Sequence, residues 1–262
     1  MMDLVKSYYV ALKDMKEVFS SISIYGPMIG VPLFFAIILP VLTNYVSLYT
    51  GPALASRIEN IAALPPGVNV KSVLFMSFFS INVLGPVFLT MPIVTASVIA
   101  ADSFAGEKER KTSEALLSTP ISVNELLFGK IIASFIPTLL LTLLVFGVYG
   151  YITNALAFST FGVYILPTLP WIMMIVASPF LAIATISVVI LVSSHVKGVK
   201  EAQQISTLLV LPILVMPFAS ILNVASFTVT FFAWVIVFLA LLDFLIIYIS
   251  VRSFNKESIL GT

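Results

Sequence analysis

Six stretches of apolar residues, each close to twenty long or more, divide this chain: Ile22 to Leu42, Val73 to Ala101, Leu126 to Tyr149, Trp171 to Val192, Gln203 to Leu222 and Thr228 to Ser250. A helix rises about 1.5 Å per residue, so roughly twenty apolar residues cross about 30 Å of hydrocarbon. The pattern predicts an all-α, polytopic membrane protein with six transmembrane helices. The second stretch would measure about 44 Å as a straight helix. It must tilt, kink or project beyond the hydrocarbon, and Gly85-Pro86 and Pro92 favour kinks. Pro179, Pro212 and Pro217 predict bends in the fourth and fifth spans, with Ser and Thr side chains available to re-satisfy the freed carbonyls.

Ahead of the first span, Leu4, Tyr8, Leu12, Met15 and Phe19 recur at three- and four-residue steps, with Asp3, Lys6, Lys13, Asp14 and Glu17 on the opposite side. This spacing predicts an N-terminal amphipathic interfacial helix over residues 1–21, lying in the headgroup plane as an elbow. No compact apolar core or small-residue cleavage site precedes Ile22, so no cleaved signal peptide is expected. The chain reads as a single transmembrane domain over 1–262: the elbow, a six-span bundle over 22–250 and a cytoplasmic tail over 251–262.

Composition agrees, with 60% apolar and 10% charged residues over 262 positions, where soluble domains carry about 25% charged. Net charge of +1 gives no bulk signal for nucleic acid. Without cysteine there is no disulfide, thiolate nucleophile or cysteine metal site. The distribution of charge is more informative. With the N-terminus inside, Lys6, Lys13, Lys16, Lys108, Arg110, Lys111, Lys130, Lys197, Lys200, Arg252 and Lys256 are cytoplasmic, and only Arg57 and Lys71 lie outside. That bias follows the positive-inside rule, supports an even number of spans, and predicts a multi-pass protein of the cell membrane with both termini cytoplasmic. Tyr45, Tyr49, Tyr151, Trp171 and Trp234 are expected near the outer interface and Tyr248 near the inner one.

The most polar segment lies between the second and third spans. From Gly106 to Ser118 the residues are good helix formers, and Thr119-Pro120 ends the run. A short cytoplasmic helix is expected there, with Ala115, Leu116 and Leu117 as an apolar edge. Ser122 and Glu125 then have the spacing of a capping box that opens the third span. A charged helix fixed to two membrane helices suits docking on a soluble partner, and equally suits a solvated connection.

The string Asp102 to Lys130, D-S-F-A-G-E-K-E-R-K-T-S-E-A-L-L-S-T-P-I-S-V-N-E-L-L-F-G-K, resembles the loop between the second and third helices of ABC-2 type transporter permeases. Lys111 stands where many members have glycine. The resemblance implies the membrane permease subunit of an ABC exporter, whose coupling helix sits in a cleft of a separate ATP-binding subunit. It assigns that coupling contact to Gly106, Glu107, Lys108, Glu109, Arg110, Lys111, Thr112, Glu114, Leu116, Leu117, Thr119 and Pro120. It further implies two copies of the ATP-binding subunit, a second permease chain in a homodimer or heterodimer, and rocking between inward-facing and outward-facing states. The chain has no phosphate-binding loop, since Gly129-Lys130 lacks the upstream glycine. No cofactor is expected in this chain, with ATP and Mg in the partner, and no enzymatic activity of its own.

Other polar positions carry weaker signals. Asp243, an intramembrane charge, lies within the sixth span, where a charge at full depth costs about 2.5–3.5 kcal/mol. It is expected to snorkel or to pair with Lys130 or Arg252. His195, Lys197 and Lys200 form a possible second cytoplasmic contact. A single histidine without neighbouring carboxylates is not a metal site. Asn82, Thr90, Thr95, Ser206 and Thr207 fall in spans two and five, which line the translocation path in the resembled family. A secondary transporter or channel would show several intramembrane charges and related halves, and this chain shows one such charge and no visible repeat. A non-transporting assembly protein remains a second alternative. An intramembrane enzyme would need clustered His, Asp or Glu at membrane depth.

Overall fold

The computed structural model describes residues 4–20, 22–49, 70–110, 121–193, 195–196, 198–222 and 228–253. Among them every regular element is helical. We number the helices α1 (Leu4–Ser20), α2 (Ile22–Tyr49), α3 (Val70–Glu109), α4 (Val123–Phe161), α5 (Leu169–Ser193), α6 (Val199–Ile221) and α7 (Val229–Ser253). All but α1 contain a segment long and apolar enough to cross a bilayer, giving the six spans the pattern predicts.

Two spans run well past the ends of their apolar stretches. Helix α3 does not stop at Ala101 but continues through Asp102 to Glu109. Helix α4 does not stop at Tyr149 but continues to Phe161, where Gly162 in the left-handed conformation (φ 71°) ends it. Backbone hydrogen bonding is indifferent to side-chain polarity, so these helices extend beyond the hydrocarbon that hydropathy alone detects. The predicted capping box at the start of α4 is present. The Glu125 amide donates to Ser122 Oγ at 3.3 Å, and the Ser122 amide donates to Glu125 Oε2 at 2.9 Å.

The bends have identifiable causes. Helix α3 carries π-helical segments at Phe79–Leu84 and Asp102–Gly106, and it breaks step at Leu89 between Pro86 and Pro92. In α5, Pro179 cannot donate to the Ile175 carbonyl. The Ser178 hydroxyl takes that acceptor at 2.7 Å. Helix α6 is interrupted at Leu208 and Leu209, where Pro212 leaves the Leu208 carbonyl to the Leu211 amide at 3.0 Å.

Two large packed regions, with a smaller one at Val18, Met28 and Ile99, hold the bundle. One contains Phe88, Phe146, Tyr149, Trp171 and Met174, with the Trp171 ring 4.9 Å from that of Phe146 and 5.2 Å from that of Tyr149. Trp171 is 3% exposed, so it is a core residue and not part of an interfacial belt. Tyr45, Tyr49, Tyr151 and Trp234 are exposed, whereas the side chain of Tyr248 lies outside the described residues. The second region, toward the charged ends of α3 and α4, is built on Ala96, Ala100, Ala105 and Ala182 with Phe104, Leu127, Ile186 and Val189. Small residues let backbones approach where lipid offers no hydrophobic gain from association.

Helix α1 packs along α4. The side it applies is Ser7, Val10, Ala11, Asp14 and Val18, all buried, while Tyr8 is 58% exposed and Phe19 is likewise outside the contact. A Cβ on Gly129 would stand 2.6 Å from the Ser7 carbonyl oxygen and 2.7 Å from Val10 Cβ, so glycine permits the approach. The row of large apolar residues read from the sequence is therefore not the row that meets the bundle.

Candidate functional site

At the end of the bundle where α3 stops and α4 begins, charged side chains from α1, α3 and α4 converge. Lys130 occupies the centre and is 3% exposed. Its ammonium lies 2.7 Å from Glu107 Oε2 and 3.6 Å from Asp14 Oδ2, donates to the Ser103 carbonyl, and sits 5.3 Å from the centroid of the Phe104 ring. Ser103 Oγ donates to Asp14 Oδ2 at 2.6 Å. A buried ammonium needs this much pairing, because desolvating an unpaired ion costs several kcal/mol.

A second tier surrounds the first. Arg110 donates to Glu17 Oε1 at 2.8 Å and to Asp102 Oδ1 at 2.6 Å, bridging α1 to the preceding turns of α3. Lys13 reaches Glu107 Oε1 at 3.3 Å and Asp14 Oδ1 at 3.4 Å. Burial alone would lower the Lys13 pKa, but Asp14, Glu107 and Glu17 together outweigh it and hold the ammonium above lysine's ordinary value. Glu109 Oε2 accepts from the Val199 amide at 2.9 Å, at the first turn of α6.

The residues assigned to coupling divide at this point. Gly106, Glu107, Lys108, Glu109 and Arg110 form the last turn of α3, where Glu107, Glu109 and Arg110 engage other helices. Lys111, Thr112, Glu114, Leu116, Leu117, Thr119 and Pro120 lie outside the described residues, as do the short helix and apolar edge expected there. Of the second predicted contact, His195 and Lys200 are exposed, with His195 Nδ1 3.2 Å from the Leu191 carbonyl oxygen, and Lys197 lies outside the described residues.

The predicted path residues also separate. Thr95 lines a cavity of about 550 Å³ between α2, α3 and α6, together with Met28, Phe35, Met91, Asp102 and Gln203. Ser206 is buried in a hydroxyl contact 2.6 Å from Ser97, and Thr207 lies 3.2 Å from the same Ser97 hydroxyl. These two tie α6 to α3. Thr90 donates to the Val87 carbonyl at 2.6 Å and Asn82 to the Phe78 carbonyl at 3.3 Å, so both bond their own helix. Thr207 and Gln203 also line a hollow of about 650 Å³ along α6, with Lys200 at one end.

Asp243 is 5% exposed on the side of α7 that carries buried Phe232 and Leu239, and neither carboxylate oxygen has a hydrogen-bond partner among the described residues. Lys130, one of its two expected partners, is committed to Asp14, Glu107 and Ser103. The side chain of the other, Arg252, lies outside the described residues.

Sequence reasoning did not single out Asp14, Glu17 or Ser103 as site residues, nor Lys130 as the hub. The available signal was the Asp102 to Lys130 string, whose two ends meet in space. Helix α1's carboxylates gave no sign of their partners, because contact between distant segments leaves no local pattern.

The family model for ABC-2 family transporter proteins matches residues 8–228. Among curated proteins, the ABC transporter permease protein NatB of Bacillus subtilis (strain 168) is 49% identical over 51 residues. That stretch is 20% of this chain and spans only 13% of the relative's length. With the family match running from within α1 past the end of α6, over a bundle with six membrane-crossing segments, the chain belongs to the ABC-2 transporter family.

Proposed function

We propose that this chain is the membrane permease subunit of an ABC exporter, pairing with a second permease chain and two copies of a separate ATP-binding subunit. The observation that carries the reading is the charged end of the bundle. There α1, α3, α4 and α6 are joined by directed ion pairs and hydrogen bonds, and the chain leaves α3 directly into residues 111–120. A segment anchored in this way can pass a displacement to several membrane helices at once. The NatB match, a protein described as an ABC transporter permease, supports the same reading.

In this account residues 107–120 meet the ATP-binding subunit, and residues 195–200 offer a second contact. Both termini and the charged end face the cytoplasm, in keeping with the eleven positive charges assigned to that side. The cavity between α2, α3 and α6 is the start of the translocation path, apolar along Met28, Phe35 and Met91 and polar at Asp102 and Gln203. ATP and Mg bind in the partner, and this chain supplies no catalytic group.

The test is recovery of an ATP-binding protein with the tagged permease from its native membranes, followed by an ATPase assay of the complex in lipid nanodiscs. A stable complex whose hydrolysis depends on the permease supports the proposal. Failure of any nucleotide-hydrolysing protein to associate would refute it.

A further inference from the structure

The last turn of α3 distributes its charged side chains among different helices. Glu107 holds Lys130 of α4, Arg110 holds Glu17 of α1, and Glu109 reaches α6. The Glu109 contact occupies the N-terminus of α6, where the amide of Val199 donates to Oε2 at 2.9 Å. The first amides of a helix lack intrahelical partners, and a carboxylate there satisfies one of them and complements the helix dipole. Gly198 flanks the contact, and a Cβ built on it would stand 2.8 Å from Glu109 Oε2. On the facing side, a Cβ on Gly106 would stand 3.4 Å from Val199 Cγ2. Gly198 thus leaves room for the Glu109 carboxylate, while Gly106 faces Val199 at ordinary contact distance. Further along, Ser97 holds Ser206 and Thr207, so the two helices are joined at a second level.

This joint forms one edge of the cavity. Asp102 of α3 and Val199 and Gln203 of α6 all line it. Whatever displaces the end of α3 therefore acts on both sides of that edge together.

The geometry points to Glu109 as a positioning residue for transport: it caps α6 so that the end of α3 and the first turns of α6 move as one body between states. The inference rests on the proposed coupling role of the α3–α4 connection. It adds that the motion reaches α6 through this cap, and that the cavity changes by movement of the joined pair against α2, without parting of α3 from α6.

Two measurements test it. In the purified permease in nanodiscs, Glu109→Ala raises hydrogen exchange of the amides at 199–202 by roughly two- to thirty-fold, as loss of a helix cap predicts. Glu109→Gln, which keeps an acceptor oxygen, raises it less. Unchanged exchange in Glu109→Ala overturns the cap, and this result needs no partner protein. The second measurement uses the absence of native cysteine. Ser97→Cys with Ser206→Cys, at positions whose hydroxyl oxygens lie 2.6 Å apart, places two thiols within disulfide reach, and closure is scored by loss of maleimide-polyethylene glycol labelling. In the complex with the ATP-binding subunit, oxidation leaves hydrolysis within about twofold of the same protein after reduction, because locking a joint that does not open costs nothing. A reversible fall of more than about tenfold overturns the inference. If no complex forms, the permease assignment fails while the exchange result still decides the cap.

Discussion

Lys130 and Glu107, on either side of the α3–α4 connection, meet at 2.7 Å, with the lysine side chain 3% and the glutamate side chain 14% exposed. Removing one partner of a buried pair leaves the other charge uncompensated, and the cost is about 3–5 kcal/mol. Lys130→Met leaves Asp14 and Glu107 with only the half-exposed Lys13 as a cation partner. We expect a large fall in thermal stability or in folded yield, measured by fluorescence-detected size exclusion after heating. Adding Asp14→Asn and Glu107→Gln to Lys130→Met restores most of the loss, because the triple variant leaves no buried unpaired charge.

Gly129 is a point of close approach between α1 and α4. Gly129→Ala forces its Cβ against the Ser7 carbonyl and Val10, and backbone cannot yield as a side-chain tip can. The expected cost is about 1–3 kcal/mol. Proteolysis of α1 in nanodiscs reports its release, and Gly147→Ala, where a Cβ meets nothing within 4 Å, serves as the silent control on the same helix.

The two tryptophans make opposite predictions. Trp171→Ala empties the aromatic core against Phe146 and Tyr149 and costs about 3–5 kcal/mol. Trp234 is exposed, and Trp234→Ala stays within about 0.5 kcal/mol. Thermal denaturation of both variants in the same lipid distinguishes them.

Lys13 contributes in a pH-dependent way. Its folded pKa lies above the ordinary 10.5, so its stabilising effect is fully present below 10.5 and is lost as pH rises through the folded value. A Lys13→Met variant should be less stable than the parent by a constant margin from pH 7 to 10, and the margin should shrink only at higher pH. A margin that vanishes near neutrality would contradict the ion pairing to Asp14, Glu17 and Glu107.

The six spans were legible because runs of apolar residues of membrane length have few other uses, and Ser122 with Glu125 announced the start of α4 through purely local geometry. Helix lengths were less legible. Asp102 to Glu109 and Tyr151 to Phe161 are too polar to register as membrane span, yet nothing in their backbone chemistry stops a helix. The face of α1 that meets α4 was not legible for a different reason. Its large apolar residues form one row, whereas the row that packs on α4 contains Ser7, Ala11 and the charged Asp14, which becomes buried only because Lys130 and Ser103 meet it. Trp171 looked interfacial from its place at the head of a span, and its core position depends on Phe146 and Tyr149 arriving from α4. The segment from Asp102 to Lys130 stood out by resemblance, but the partners of its charges in α1 and α6 required the three-dimensional arrangement.

The most direct test of the account is site-specific photo-crosslinking from position 114 in cells that co-express the ATP-binding protein recovered with the permease. The account predicts a crosslink to that protein from Glu114 replaced by benzoylphenylalanine and none from the same replacement at Tyr151. Labelling of position 114 by an impermeant reagent from outside the cell, with no crosslink formed, would contradict it.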